Sequence, residues 1–356
     1  VSISLAKALI NNNFKVYMYA ESNKKIPSLS RTIGVTATNM DFFQKEILKI
    51  RKKFIWGVSE IEIYNEENKK NKILSFNNSN KKLFFIVKNN ILYNLINHSL
   101  KKSKNYKKII VKNKSFYKKI FKDKKFNLII NCDENNAIYK KYFYRTILKN
   151  YNSTAYASVI NHKKIDNRKA MQIFTKLGPI AFLPVSATQT SLVYSIKNKD
   201  TNNLKLTQSE FEKLVFKNNK IYEIESIKNF ETFFLKSKIL KNYYNKNILA
   251  FGDILHQIHP LSGQGFNMTL RDIEVLLKLI KYRKNLGLSI DCSIFKEFEN
   301  KTKHLNFIFS SGNDFIYEFF NNDNYYLKNF SNKVLSYLNK NRLFNKLAVK
   351  YADKGL

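Results

Sequence analysis

Gly252, Asp253, His256, His259, Pro260, Gly263 and Gly265 crowd into one stretch, FGDILHQIHPLSGQGFNMTLRD, residues 251–272. The whole chain has only nine glycines and four prolines in 356 residues, where an ordinary share of ~7% would give roughly 25 glycines. A chain that spares glycine almost everywhere keeps it where a side chain would collide or where φ must be positive. The apolar run NILAFGD predicts a buried strand ending at Gly252-Asp253. A carboxylate there faces the crevice in which α/β sheets bind ligands, and can accept hydrogen bonds from ligand hydroxyls. Gly263 and Gly265 let backbone approach a flat ligand, and the helix predicted from Phe266 onward would offer free N–H groups and a favourable dipole to negative charge. The chemistry on offer is the holding of a ligand with hydroxyls and a delocalised ring that takes up electrons. The two histidines lack a third ligand of suitable type nearby, so no metal is expected, and they read as structural or ring-edge contacts.

The elements that must position these residues are legible in outline. In NMTLRDIEVLLKLIKY, Leu270, Ile273, Leu277 and Ile280 fall on one face and predict the helix's buried side. At the other end of the chain, ISLAKALINNN predicts a helix with Ile3, Leu5, Ala6, Leu9 and Ile10 inward, followed at once by the strand FKVYMYA. Helix then strand is the second half of a βαβ unit. The sequence reads as starting just after the strand and Gly-rich turn that would cradle a pyrophosphate, with Ser2 where that turn's third glycine belongs. KFIWGVSEIEIYNEENKKNKILSF alternates as an antiparallel hairpin or meander. LFFIVKNNILYNLINHSL is predicted helical in its second half, and KKIIVKN and FNLIINCDENN as strands. Tyr151 to Ser195 is strand-rich and holds the second punctuated segment, LGPIAFLP. Ile294 to Leu356 is predicted helical, basic and aromatic.

Composition narrows the partners. Apolar residues at 44% and aromatics at 14% support a sizeable core. The formal charge of +36 invites a polyanion, but lysine supplies 56 of the 63 basic residues. Arginine, the better fork for phosphates and bases, is scarce, while Lys, Asn, Ile, Phe and Tyr, residues of A/T-rich codons, abound. No specific nucleic-acid partner is expected; solvated lysines, or attraction to an anionic membrane surface, account for the excess. Cys132 and Cys292 make no disulfide framework, which suits a reducing cytoplasm. No apolar run reaches the ~18 residues of a membrane span, and the first residues lack a signal-peptide layout.

GDILHQIHPLSGQGFNMTLRDIEVL resembles the GD…HP…GQG-N…D motif of flavin-dependent aromatic-ring hydroxylases. AMQIFTKLGPIAFLPVSATQTSLVYSI is similar to a signature of the branch that hydroxylates polyprenylated phenols in ubiquinone biosynthesis, and NKNRLFNKLAVKYADKGL to that branch's usual carboxyl terminus. The resemblance implies an α/β fold: a Rossmann-like FAD-binding domain of the p-hydroxybenzoate hydroxylase type, interleaved with a mostly antiparallel β substrate domain and followed by a helical C-terminus. The implied boundaries are 1–50, 78–145 and 245–290 for the FAD domain, 51–77 and 146–244 for the β-rich domain, and 291–356 for the terminal helices. It implies FAD as cofactor, with Asp253 and Gly252 at the ribityl chain and Pro260 at the isoalloxazine. Backbone at Gly263, Gln264 and Gly265 would lie along the ring's N1/C2=O edge, with Asn267 beside it. Arg31 would reach toward FAD, Asp133 would help place it, and Glu21 would take the adenosine ribose if a bulge brings it there. No side chain acts as nucleophile; oxygen transfer would run through a flavin C4a-hydroperoxide formed from O₂, the flavin being reduced by NAD(P)H or a ferredoxin-type donor. Phe182, Leu183 and Pro184 would wall the substrate. Further implied partners are a quinone-synthesis protein assembly and the inner face of the cytoplasmic membrane.

Two departures from the family pattern bear on competence. The amino-terminal GxGxxG element is not in the sequence, and the D-G-x-x-S-x-x-R element stands as DENNAIYK, with Glu134 for glycine and Ala137 for serine. Glu134 is expected to bring a negative charge toward ligand phosphates and weaken binding. Another flavin hydroxylase, a flavin-dependent prenyl reductase, an inactive relative, or a basic nucleic-acid binder are the rival readings.

Overall fold

The computed structural model describes residues 1–20, 28–66, 72–77, 82–111, 125–198, 206–219, 221–259 and 263–320. The Ser2–Asn11 helix buries Leu5, Ala6, Ala8, Leu9 and Ile10, the spacing of a single face. It packs against the Asn89–Lys101 and Gly265–Asn285 helices. Strand Val16–Ala20 follows and runs parallel to Tyr106–Ile110. A second parallel pair joins Ile129–Asn131 to Ile248–Ala250, the latter extended by a short hairpin with Tyr244–Asn245. One core gathers these elements: Leu270, Ile273, Leu276, Leu277 and Ile280 of the long helix meet Leu249, Ala250 and Phe251, with Leu92, Ile96 and Leu100 on the other side.

The second unit is an eight-stranded sheet in which all neighbours are antiparallel except one pair, Glu60–Asn65 beside Lys169–Thr175. Its spine is two 17-residue strands, Thr146–His162 and Ile224–Leu240. Register shifts between Lys228/Glu231 and Phe234/Lys236 let strands this long keep coiling, as bulges do. One face is covered by the Gln208–Asn218 helix, which starts in a capping box: Thr207 Oγ1 accepts from Glu210 N at 3.3 Å and Glu210 Oε2 from Thr207 N at 2.8 Å. Under it Tyr156, Ile160, Met171, Ile173, Ile180, Phe182, Leu192 and Tyr194 form a second core with Phe211 and Val215.

The expected meander of residues 53–76 divides at Ser59. Trp56–Val58 pairs with Phe84–Lys88 in a three-stranded sheet that also holds Thr32–Thr36, whereas Glu60–Asn65 and Leu74–Asn77 form a hairpin at the edge of the large sheet. Alternation fixes which residues face inward but not which strand they join. The strand expected to end at Asp253 stops at Ala250, and Gly252–Ile254 turns as a 3₁₀ helix. The expected terminal helices include Ile294–Phe320; residues 321–356 lie outside the described residues. No helix among the described residues is long and apolar enough to cross a membrane.

Candidate functional site

The parallel pair Ile129–Asn131 and Ile248–Ala250 is in register, Asn131 opposite Ala250, and Phe251 N donates to the Asn131 carbonyl at 2.9 Å. Their carboxyl ends therefore open into two adjacent turns. In the first, Gly252 has φ +72°, and a Cβ there would lie 2.1 Å from Cγ1 of Val1. Glycine is required: any side chain would strike the residue from which the Ser2–Asn11 helix springs. That contact sets the amino end of the helix, with its unspent N–H groups, beside the turn. Asp253 is exposed in this turn and its carboxylate has no partner among the described residues.

The second turn is Cys132–Asn136. Asn131 and Asn136 exchange side-chain hydrogen bonds at 2.7 and 3.3 Å, and Asn136 Oδ1 accepts from Tyr139 N at 2.9 Å to cap the Ala137–Tyr142 helix. Asp133 Oδ1 accepts from Asn135 N at 3.2 Å, the self-bonded turn that aspartate favours. Glu134, expected to stand as a bare charge, instead forms an ion pair with Lys238, whose ammonium also lies 5.1 Å over the Tyr139 ring. Sequence reasoning missed Lys238. It occupies an alternating strand, FFLKSKIL, at a position that the pattern gives no reason to bury, in a chain where lysine is the commonest background.

Gly263, Gln264 and Gly265 lead into the Gly265–Asn285 helix, whose amino end has no side-chain cap. Gly263 has φ +61°, and a Cβ on either Gly263 or Gly265 would meet nothing within 4 Å among the described residues. Packing among the described residues gives no reason for glycine at 265, and a backbone without a Cβ there leaves room for close approach by a flat ligand. Buried Gln264 accepts from Arg271 Nη2 at 3.2 Å, and the Arg271 guanidinium lies 4.5 Å over Phe309. Asn267 has a different duty. Its Oδ1 accepts from Thr36 N at 3.0 Å and from Asn39 Nδ2 at 3.2 Å, and its Nδ2 donates to the Gly34 carbonyl at 2.9 Å. The side chain is spent on locking the helix to strand Thr32–Thr36. Arg31 is exposed just before that strand. Glu21 and Pro260 lie outside the described residues.

Both histidines are buried. His256 Nε2 meets Asp272 Oδ2 at 2.6 Å, and Asp272 Oδ1 accepts from Asn306 Nδ2 at 3.0 Å, which ties the long helix to the Ile294–Phe320 helix. The His259 ring sits edge-on to Tyr151 at 4.8 Å and 4.3 Å from Tyr317. Burial pushes its pKa down to about 3, so the ring is neutral. Burial likewise raises the Tyr151 hydroxyl, as does Asp314, to which it donates.

Phe182, Leu183 and Pro184 do not act together. Phe182 is fully buried under the Gln208–Asn218 helix and stacks on Tyr222 at 5.8 Å. Leu183 points to the opposite face, as strand parity requires, and packs beside Val58, Ile86 and Ala170. Its register partner Ser191 accepts a 2.9 Å hydrogen bond from Thr32, which starts the strand that Asn267 locks. Leu183 is thus the member of the trio on the face turned toward the three-stranded sheet of Thr32–Thr36.

Residues 125–351 match the squalene epoxidase family. Among curated proteins, the 3-demethoxyubiquinol 3-hydroxylase of Escherichia coli (strain K12) is 27% identical over 51% of this chain and 47% of its own length. Ubiquinone hydroxylase UbiL of Rhodospirillum rubrum is 25% identical over 49% and 41%. The chain spans less than half the length of these curated relatives. Among solved structures, p-nitrophenol 4-monooxygenase PnpA from Pseudomonas putida superposes with TM-score 0.76 at 10% identity, over 99% of this chain and 95% of that one. HpxO of Klebsiella pneumoniae, solved with FAD and uric acid, gives 0.69 at 10% identity, over 97% and 92%. The parallel pairs, the interleaved antiparallel sheet and the helical end thus compose the fold of the FAD-dependent monooxygenases of the p-hydroxybenzoate hydroxylase type, and the chain belongs to the squalene epoxidase family.

Proposed function

We propose that the chain is an FAD-dependent monooxygenase that hydroxylates the aromatic ring of a polyprenylated phenol in ubiquinone biosynthesis. The observation that carries this reading is the Gly263–Gly265 turn. It has open space beside both glycines and leads into an uncapped helix end, in a chain whose curated relatives are named as ubiquinone hydroxylases. The segments 1–50, 78–145 and 245–290 would hold the cofactor, 51–77 and 146–244 would shape the substrate side, and 291–356 would be the carboxyl-terminal part.

FAD, when bound, supplies the activation of O₂; the chain's own residues bind, orient and keep water out. Gly252 and Asp253 fit the ribityl chain, with the Asp253 carboxylate accepting from its hydroxyls, and the amino end of Ser2–Asn11 suits the anionic diphosphate. Backbone N–H groups at Gly263, Gln264 and Gly265 steady negative charge on the ring by preorganised hydrogen bonding. Asn267 positions that turn through Thr36 and Asn39. Arg31, Asp133, Glu21 and Pro260 would complete the set of residues that hold the cofactor. Leu183 offers an apolar wall to the substrate. The reductant is NAD(P)H or a ferredoxin-type donor. The lysine excess draws the protein to anionic lipid on the inner face of the cytoplasmic membrane, where a prenylated substrate dissolves, in company with other quinone-synthesis proteins.

The test is to express the full chain and examine it for bound flavin, then to measure donor oxidation with prenylated and with water-soluble phenols, scoring products by mass for one added oxygen. A product formed only from the prenylated phenol is expected. A chain that takes up no flavin overturns the reading; turnover of water-soluble phenols alone moves it to another hydroxylase, and reduction of a prenyl chain to a reductase.

A further inference from the structure

The turns that follow the two parallel strands carry three carboxylates: Asp133 and Glu134 after Ile129–Asn131, and Asp253 after Ile248–Ala250. Three negative charges at one sheet end are the wrong sign for a ligand that carries phosphates. The chain's many exposed lysines offset this only weakly, because solvent and salt screen exposed charges that lie more than about 8 Å away. Lys238 is different. It is only 3% exposed, in the Ile224–Leu240 strand opposite Gln257 and Leu148, with its ammonium on Glu134 and over the Tyr139 ring. An ammonium so buried needs a hydrogen-bonding acceptor to offset its lost hydration, and Glu134 is the acceptor that this strand position meets.

Resting on the flavin reading above, we propose that Lys238 is a positioning residue for the anionic part of the ligand. It ties the Glu134 carboxylate down onto the Ala137–Tyr142 helix and cancels its charge, so that a diphosphate meets one carboxylate fewer. The pair acts on ligand phosphates and leaves the ring system alone, so it sets preference for a flavin dinucleotide over an uncharged flavin.

The test compares binding of FAD and of riboflavin, which has the ring and ribityl chain but no phosphate, to the full chain and to Lys238→Met, Glu134→Gln and the double variant, with melting temperatures measured alongside. Lys238→Met is expected to weaken FAD about tenfold, as removal of one partly buried charge does, and to move riboflavin less than about twofold. Glu134→Gln should leave FAD as tight or tighter, and the double variant should recover to within about threefold of the unaltered chain. Added salt should shrink the FAD loss. Equal weakening of both flavins, or no recovery in the double variant, overturns the proposal and makes Lys238 a packing residue. If Lys238→Met does not fold, Glu134→Gln and the double variant still decide: FAD bound more weakly than riboflavin in either one overturns it. An unaltered chain that binds neither flavin overturns the flavin reading itself, and this inference with it.

Discussion

Gly178 and Gly265 mark the two punctuated segments of the sequence, and they are glycine for opposite reasons. At Gly178, φ is +135° and a Cβ would fall 2.1 Å from the Ser195 carbonyl oxygen. The chain itself fills the space, in the tight hairpin between Lys169–Thr175 and Gly178–Pro184. At Gly265 the backbone is helical and a Cβ would meet nothing within 4 Å. The glycine at 178 is one that the described atoms demand for folding; the glycine at 265 is one that they do not. One strand of the large sheet also has two distinct faces, Phe182 in the sealed core and Leu183 against the three-stranded sheet of Thr32–Thr36.

Substitutions separate the two regions. Phe182→Ala should cost about 4 kcal/mol, the usual penalty for emptying a sealed aromatic site, read as a drop in urea midpoint. Gly178→Ala should cost about 3 kcal/mol, from the forbidden φ and the clash together; a loss under about 1 kcal/mol would remove the contrast with Gly265. His259 gives a pH signature. The unfolded imidazole takes a proton near pH 6.5 and the folded one only near 3. Stability from the neutral ring is therefore complete above the unfolded value and is lost as pH falls from 6.5 toward 3, by at most ~1.4 kcal/mol per pH unit. His259→Phe should flatten that part of the melting-temperature profile. Leu183→Ala should cost only about 1 kcal/mol but raise KM for a prenylated phenol. Smallest in stability is Gly265→Ala: within about 0.5 kcal/mol, since alanine suits a helix, yet FAD should bind at least about tenfold more weakly by fluorescence titration. If Gly265→Ala leaves FAD untouched, the outward glycine has no ligand reason.

The residues most readable in the sequence were those whose role is periodic. Leu270, Ile273, Leu277 and Ile280 fell on one helix face, and all four are buried in the first core. Val16–Ala20 and Ile129–Asn131 formed where apolar runs predicted strands. What stayed hidden depends on partners distant in sequence. That Trp56–Val58 and Glu60–Asn65 join different sheets follows from what each meets across Ser59, and no local pattern encodes it. Asn267, expected at the cofactor, is committed to Thr36, Asn39 and Gly34, more than two hundred residues earlier. The strand before Asp253 stops at Ala250, and Gly252 in the turn that follows lies against Val1, about 250 residues earlier. Lys238 was invisible because one lysine among 56 carries no signal.

The lone parallel joint of the large sheet, Glu60–Asn65 beside Lys169–Thr175, has a consequence for how the polypeptide is made. About 110 residues separate the two strands, and closing so wide a loop is slow. A ribosome releasing this chain exposes the Glu60–Asn77 hairpin well before its neighbour has been synthesised. Its open border, with the Glu60 and Glu62 carboxylates that Lys169 will later engage, must wait unpaired. Lys72, at the start of the hairpin's second arm, already engages both carboxylates, so what the border holds open until residue 169 arrives is its row of backbone N–H and C=O groups rather than bare charge.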